Sequence, residues 1–243
     1  MRIKIGLYSI GLDTYWDQFD GLKEHLSTYH KVIHKKLENF GATVIDVGLI
    51  DNPKKALSAG SRFRSEEVEL IFLYISTYAL SSTVLPVVQK AGVPVVVLSL
   101  QPTAQLDYEA FNIIGDRGAM TGVWLEHCQA CCTPEISNVF RRAQIPYYLV
   151  MGHLQDEVAW SEINDWVRAA IAKRGMSLNR VGLLGHYYCG MLDVYSDLTQ
   201  QSASFGNHFE FLEMCELKNI RDQVTDGEVQ DKRRSFDKSF VVA

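Results

Sequence analysis

LIFLYISTYALSSTVLPVVQKAGVPVVVLSL, at residues 70–100, carries the clearest fold signal in this 243-residue chain. Two apolar runs, Leu70–Ile75 and Val93–Leu100, enclose a segment in which Ser81 or Ser82 can cap a helix. Runs as uniformly apolar as these are typical of strands that are buried on both faces, as in parallel sheets covered by helices. The stretch therefore predicts a strand–helix–strand unit of a parallel sheet.

Similar apolar runs occur on both sides of this stretch. Strands are predicted at Ile3–Ile10, Thr43–Ile50 and Tyr147–Met151, and segments with helical periodicity separate most of them. Residues 103–132 show no clear periodicity, and the helix that follows them is predicted at Pro134–Arg142. Strands that alternate with helices in this way are typical of an α/β fold.

Two domains are predicted. Residues 1–178 form a Rossmann-like or flavodoxin-like three-layer domain with a parallel sheet, and residues 179–243 form the start of a second α/β domain. In the second, strands are predicted at Val181–Leu184 and Phe209–Met214, with a helix at about Asp193–Ser204 between them. Because two strands are too few for a doubly wound sheet, this unit either docks on the first domain or lacks its remaining part.

Composition excludes several classes of partner. The net charge is −5, and the chain has no extended basic cluster, so we expect no binding to nucleic acid. No apolar stretch reaches the roughly 18 residues of a membrane-spanning helix, so we expect no membrane partner. Five cysteines, three of them within residues 128–132, do not suggest a disulfide framework and favour a reducing, cytoplasmic location.

Polar and aromatic side chains follow the predicted strands, at the carboxyl edge where open α/β sheets bind ligands. They are Asp13 and Tyr15 after the first strand, Tyr78 after the third, Gln101 after the fourth, His153 after the fifth, and Tyr188 after the first strand of the second unit. Hydroxyl, amide and aromatic groups suit a neutral polyol. A glycine-rich fingerprint for nucleotides is absent.

Two further groups of residues have spacings that occur in metal sites. Cys128 and Cys131 form a C-x-x-C pair, but no second ligand pair follows at the spacing of a structural zinc site, so small buried thiols on a helix are the favoured interpretation. His25, His30 and His34 fall on one predicted helix, outside its apolar stripe, and we expect them to be exposed. No metal ligand is predicted in this chain.

Four segments together resemble the L-arabinose/L-fucose isomerase family. They are IGLDTYWDQF at 10–19, EHCQACCTPEISNVFRRAQIPY at 126–147, MGHLQD at 151–156 and GMLDVYSDLTQQSASFGNHFEFLEM at 190–214. Their order and spacing carry the resemblance, which extends from about Lys4 to Val229.

The resemblance implies an aldose–ketose isomerase of carbohydrate metabolism that acts on a sugar such as L-arabinose or L-fucose. Such enzymes move a proton between C1 and C2 through an enediol, with Mn²⁺ or another divalent metal holding the sugar oxygens. The family's catalytic Glu and His residues lie in a later part of the protein than this sequence covers. We therefore assign no catalytic residue here, expect no bound metal, and expect the chain alone to be inactive.

The resemblance also implies substrate contacts and assembly. It supports Asp13, Tyr15, Tyr78 and Tyr188, and it adds His127, Cys128, Gln129 and Cys131. It implies a homo-oligomer, a trimer or a hexamer, with sites between subunits. Two alternatives stay open: a non-catalytic sugar-binding module, and a subunit that assembles with a separate catalytic chain.

Overall fold

Five parallel strands form the main sheet, as the sequence predicts. The structure, a computed structural model, describes residues 2–240. The strands are β1 (Lys4–Ile10), β2 (Thr43–Ile50), β3 (Leu70–Tyr74), β4 (Val95–Gln101) and β5 (Tyr147–His153). They are hydrogen-bonded in the order β2-β1-β3-β4-β5, and every neighbouring pair is parallel. This order confirms the predicted α/β class.

Helices cover both faces of the sheet. They are α1 (Leu22–Asn39), α2 (Pro53–Ser65), α3 (Ser81–Ala91), α4 (Tyr108–Ile113), α5 (Arg117–Glu126), α6 (Gln129–Arg142) and α7 (Glu157–Ser177). Phe63 of α2, Val84 of α3 and Ile136 of α6 are buried against one face. Ile33 of α1 and Ile163 of α7 are buried against the other face. The sheet therefore lies between two helical layers, which agrees with a Rossmann-like or flavodoxin-like domain.

The region without clear periodicity is also helical. Asp107 accepts a hydrogen bond from the Ala110 backbone N–H at 3.0 Å and begins α4, and Asp116 does the same for α5 with Ala119 at 2.7 Å. Helix α6 begins at Gln129, five residues before the start predicted at Pro134, which is wrong. The buried side chains in its first turn, rather than the proline, determine where this helix begins.

A second compact unit begins after Ala172, within α7. It contains β6 (Arg180–Leu184), α8 (Leu198–Phe205), β7 (His208–Leu212), α9 (Met214–Gln223) and α10 (Asp226–Ser239). β6 and β7 pair in parallel. The predicted strand at Phe209–Met214 is wrong at its end, because Glu213 and Glu216 form a capping box that begins α9 there.

The second unit has little core of its own. Among the residues that the structure describes after Ala172, none is buried. Leu184, Phe211, Met214 and Ile220 expose large apolar side chains. A two-stranded sheet is at best marginally stable in water. The unit therefore has far less apolar burial to stabilise it than the five-stranded sheet has.

A helix that crosses a membrane must be both long and apolar. Within residues 2–240, no helix combines the length and the apolar character needed to cross a bilayer.

A partly buried network of two histidines and one carboxylate joins α1 to β2 and corrects the expectation for His30. His30 Nε2 and His34 Nδ1 lie 2.8 and 2.7 Å from the two carboxylate oxygens of Asp46. His30 is only 6% exposed, so the prediction that it is exposed is wrong. It follows Leu26 by four residues and therefore faces the sheet with the apolar stripe of α1.

The same carboxylate supports an irregularity in β2. The Gly48 backbone N–H donates to Asp46 Oδ1 at 2.7 Å, and Gly48 has φ +68° where the β1–β2 register shifts. Burial acts to raise the pKa of Asp46, but the hydrogen bond and charge of His30, together with the hydrogen bonds from Gly48 and His34, outweigh it. The pKa of Asp46 therefore lies well below its usual range.

Replacing Asp46 with Asn is expected to lower the free energy of unfolding by about 1–3 kcal/mol at neutral pH, because hydrogen-bonded charge is lost from a partly buried site. Since the pKa of Asp46 is lower in the folded than in the unfolded chain, its contribution is complete above the unfolded pKa of about 4 and is lost as the pH falls below it. Urea denaturation of both proteins across this range measures the difference.

Asp222→Asn is the matched control, because Asp222 pairs with Lys218 on an exposed helix face. It should change stability by less than about 0.5 kcal/mol. A difference for Asp46→Asn that stays constant between pH 7 and pH 3 would contradict the assignment of the network.

Because the five-stranded sheet is buried and the two-stranded sheet is not, the two sheets should differ in their protection from hydrogen exchange. The amides of β3 and β4 should exchange at least about a hundredfold more slowly than those of β6 and β7, since local opening of an exposed two-stranded sheet costs little free energy. Amide exchange followed by NMR or mass spectrometry measures both sets in one sample. Equal protection in the two sheets would show that the second unit is stabilised by burial that this structure lacks.

Candidate functional site

The carboxyl ends of β1 and β3 form the natural ligand crevice of this sheet. After β1 the chain leads to β2 on one side, and after β3 it leads to β4 on the other, so the strand order reverses between them. A short 3₁₀ turn, Asp13–Tyr15, follows β1. Residues 76–78 follow β3, and Thr77 Oγ1 donates to the Leu125 carbonyl at 2.8 Å. Both loops are thus held at the same edge.

Five side chains are neighbours at this edge, and we call the group the tyrosine crevice: Tyr15, Tyr78, Cys128, Cys132 and Glu135. Tyr78 donates its hydroxyl proton to Glu135 Oε2 at 3.2 Å. The other oxygen of Glu135 accepts from the Ser81 backbone N–H at 3.3 Å. The loop after β3 is therefore tied to α6 through one carboxylate.

The pKa values of the two tyrosines depend on the other side chains of the tyrosine crevice. Burial raises the pKa of Tyr15, and the neighbouring Cys128, Tyr78 and Cys132 raise it further. The pKa of Tyr78 is raised first by the charge of Glu135, then by burial and by their hydrogen bond. Both phenols therefore stay protonated at neutral pH, where they can donate hydrogen bonds.

The two crevice cysteines are neutral thiols. Cys128 and Cys132 are 2% and 0% exposed, and burial raises the pKa of each to about 12. Cys132 Sγ donates to the Ala79 carbonyl at 3.3 Å. The expectation of small thiols on a helix agrees with these positions, although Cys131 is exposed.

An open cleft of about 560 Å³ lies between α6, the carboxyl end of β4 and the length of β5. Its polar lining includes Ser99, Gln101, Gln129 and Thr133. Thr133 Oγ1 donates to Ser99 Oγ at 2.9 Å. His153 pairs with Gln101 in the strand register, and its Nδ1 accepts from the Gln155 backbone N–H at 3.3 Å. Gln101 and His153 thus share one end of the sheet.

Gln129 lines the cleft and also contacts the loop after β3. It is 1% exposed, and its Nε2 donates to the Glu126 carbonyl at 2.7 Å and to the Ser76 carbonyl at 3.3 Å. Its Oε1 is buried and has no donor among the residues that the structure describes. Gln129 therefore connects the loop after β3 to the cleft, and it retains an unused acceptor.

The remaining predicted site residues are less closely grouped. Asp13 is exposed and its backbone N–H donates to the Asp51 carbonyl at 3.3 Å. His127 ends α5, and its ring nitrogens lie near Thr103 Oγ1 and the Val123 carbonyl. Tyr188 is 73% exposed in the loop after β6 and belongs to the second unit. It does not line the 500 Å³ cleft that Tyr187, Tyr195 and other residues form there.

Sequence reasoning missed Glu135 and Cys132. Both lie on the face of α6 that Cys128 begins, at successive spacings of four and three residues. The available signal was this helical spacing, but it could not be used once the helix was predicted to start at Pro134. The reasoning also missed Glu126, which is buried and accepts hydrogen bonds from Tyr29 and His25 at 2.7 Å each.

The residues present do not form a metal centre. Between Arg2 and Phe240, no three His, Cys, Asp or Glu side chains are grouped so that they could hold a metal ion. The manganese that the resemblance implies therefore has no fitting ligand set among these residues.

Comparison with known proteins gives one informative result. No protein-family model matches the chain. L-arabinose isomerase of Aeromonas salmonicida (strain A449) is 25% identical to it over 101 residues. The match covers 42% of this chain and 20% of that isomerase, so the aligned part is a minor fraction of the relative. The chain is thus distantly similar to a sugar isomerase.

Replacing Glu135 with Gln should lower the pKa of Tyr78, because the largest cause of its increase is the carboxylate charge. NMR of protein with ¹³Cζ-labelled tyrosine, titrated with pH, measures this change for the Tyr78 resonance. Glu66→Gln, which removes a carboxylate paired with Lys4 instead, is the control and should leave the Tyr78 titration unchanged. An unchanged Tyr78 titration in Glu135→Gln would refute the pairing.

Proposed function

We propose that the tyrosine crevice and the adjoining cleft bind a sugar, and that the chain is part of an aldose–ketose isomerase. The observation that carries the proposal is the set of neutral hydrogen-bonding groups, including two protonated phenols, at the edge where α/β sheets bind ligands. The distant similarity to an L-arabinose isomerase supports the same reaction class.

The crevice has donors and acceptors in the mixture that a polyol requires. Each sugar hydroxyl both donates and accepts, so it is best satisfied where the two kinds of group alternate. Tyr15 supplies a phenolic donor and Glu135 a carboxylate acceptor, while the Tyr78 oxygen can accept a hydrogen bond because its own proton is donated to Glu135. The buried Cys128 and Cys132 add no charge at neutral pH, because the pKa of each is about 12. The crevice is thus suited to orienting a neutral ligand.

The cleft adds further hydrogen-bonding and apolar groups to those of the tyrosine crevice. Its volume of about 560 Å³ falls within the range of roughly 300–1,000 Å³ that small-molecule sites occupy. Gln101 and Ser99 add amide and hydroxyl groups, and Gln129 Oε1 still lacks a donor, which a ligand hydroxyl would supply after a small adjustment. Met151 and Leu149 add apolar surface for sugar C–H groups.

In the proposed reaction, these residues bind and orient an aldose such as L-arabinose or L-fucose, while a proton moves between C1 and C2. No step is assigned to a metal, because the described residues do not fit one. We propose that the groups that move the proton, and the ligands of any divalent metal, lie elsewhere in a longer protein or in a partner subunit. A trimeric or hexameric homo-oligomer would bring such groups together. We also propose sugar contacts at five predicted positions outside the tyrosine crevice: Asp13, His127, Cys131, His153 and Tyr188.

Titration calorimetry with L-arabinose and L-fucose tests the sugar-binding proposal. Tyr78→Phe, which removes one hydroxyl and keeps the ring, should weaken binding about tenfold, the effect of losing one hydrogen bond worth about 1.4 kcal/mol. Tyr148→Phe is the matched control, because Tyr148 packs on Trp166 of α7, with its ring centroid 4.7 Å away, and is not in the crevice. Its affinity should equal that of the wild type.

The proposal is wrong if the wild type binds neither aldose, or if the two variants weaken binding equally. A third outcome is that Tyr78→Phe loses binding but the native assembly converts no aldose to ketose. That outcome would favour a non-catalytic sugar-binding module.

A further inference from the structure

Three thiols occupy the first turn of α6. Cys128 is the N-cap residue of this helix, and Cys131 and Cys132 follow within one turn. All three are free, and only Cys131 is exposed. The proposed sugar site uses Cys128 and Cys132 as neutral lining and gives no role to their sulfur chemistry. The cluster therefore invites a separate explanation.

Backbone and side-chain contacts bring Cys128 and Cys131 together. The Cys131 backbone N–H donates to the Cys128 carbonyl at 3.2 Å, which closes the turn between them. Burial raises the pKa of Cys128 to about 12, and the neighbouring Cys131 thiol adds to this increase. Cys132 is engaged differently, because its thiol donates to the Ala79 carbonyl in the core. Cys131 thus has one natural partner.

The turn needs only a small contraction to form a disulfide. Residues three apart on a helix have Cβ atoms about 5–6 Å apart, and a disulfide requires about 3.5–4.5 Å. Cys128 has φ −92° and ψ 21°, outside the regular helix, so its backbone is less constrained than that of an interior residue. A movement on the order of 1–2 Å therefore suffices.

We propose that Cys128 and Cys131 form a redox modification site, at which a hydroperoxide converts the two thiols into a disulfide. The sulfur of the exposed Cys131 attacks one peroxide oxygen, the O–O bond breaks, and an alcohol or water leaves with a proton. This step makes Cys131 a sulfenic acid. The Cys128 sulfur then attacks the Cys131 sulfur, the S–O bond breaks, and water leaves with the Cys128 proton. The two thiols are oxidised, and the hydroperoxide is reduced.

The position of this pair gives the disulfide a structural consequence. Gln129 lies between the two cysteines, and its amide anchors the carbonyls of Ser76 and Glu126. Contraction of the turn displaces that amide and, with it, the loop that carries Tyr78. Oxidation therefore acts on the carboxyl edge of the sheet whatever ligand that edge binds.

Mass spectrometry tests the assignment on the wild-type chain. After treatment with hydrogen peroxide, the protein is denatured, its remaining thiols are alkylated with iodoacetamide, and trypsin releases residues 118–141, which contain all three cysteines. The peptide should carry one alkyl group, on Cys132, and should lack two hydrogen atoms. Dithiothreitol should restore three alkylated thiols. The Cys189 and Cys215 thiols lie on a different tryptic peptide, so a cross-link to either is recognised by its mass.

Two variants sharpen the result. Cys132→Ala should oxidise as the wild type does, whereas Cys131→Ser should keep Cys128 alkylated. Alkylation of the wild-type peptide at Cys128 or Cys131, or three alkylated thiols after peroxide, would overturn the proposal.

Discussion

The buried amide of Gln129 is the contact on which the carboxyl edge of this molecule depends. Its Nε2 holds the Glu126 carbonyl at the end of α5 and the Ser76 carbonyl in the loop after β3. Those two contacts bring the start of α6 against the end of the central strand. From that position α6 presents Cys128, Cys132 and Glu135 to the crevice. Without this amide, two buried carbonyls would lose a donor, which costs about 1–3 kcal/mol for each group.

Chemistry at this edge is polar but nearly uncharged. The phenols of Tyr15 and Tyr78 and the thiols of Cys128 and Cys132 all have raised pKa values, mainly because burial and the Glu135 carboxylate disfavour their ionised forms. An anionic ligand such as a nucleotide phosphate would meet the Glu135 carboxylate here, and none of the five side chains of the tyrosine crevice is a cation. A neutral polyol would meet protonated donors beside an acceptor, and this match supports the proposal of a sugar ligand.

Much of the fold could be predicted from the sequence, because buried parallel strands have largely apolar runs: β1, β3 and β4 were predicted within two residues of each end. The predictions were wrong where side-chain contacts, rather than the local sequence pattern, determine the structure. His30 was predicted to lie outside the apolar stripe of α1, yet it faces the sheet, where Asp46 compensates its burial. The start of α6 was placed at a proline, and this displaced start hid Glu135. Tyr15, Tyr78, Cys128 and Gln129 were predicted from strand ends and resemblance, but their grouping depends on α6 packing, which periodicity alone does not supply.

A titration of uniformly ¹⁵N- and ¹³C-labelled protein with L-arabinose, followed by NMR, tests the account of the carboxyl edge. The account predicts that the shifts concentrate on Tyr15, Tyr78 and the first turn of α6, with smaller shifts at the ends of β4 and β5. Shifts confined to the loop after β6, or no saturable shift in the five-stranded domain, would contradict it.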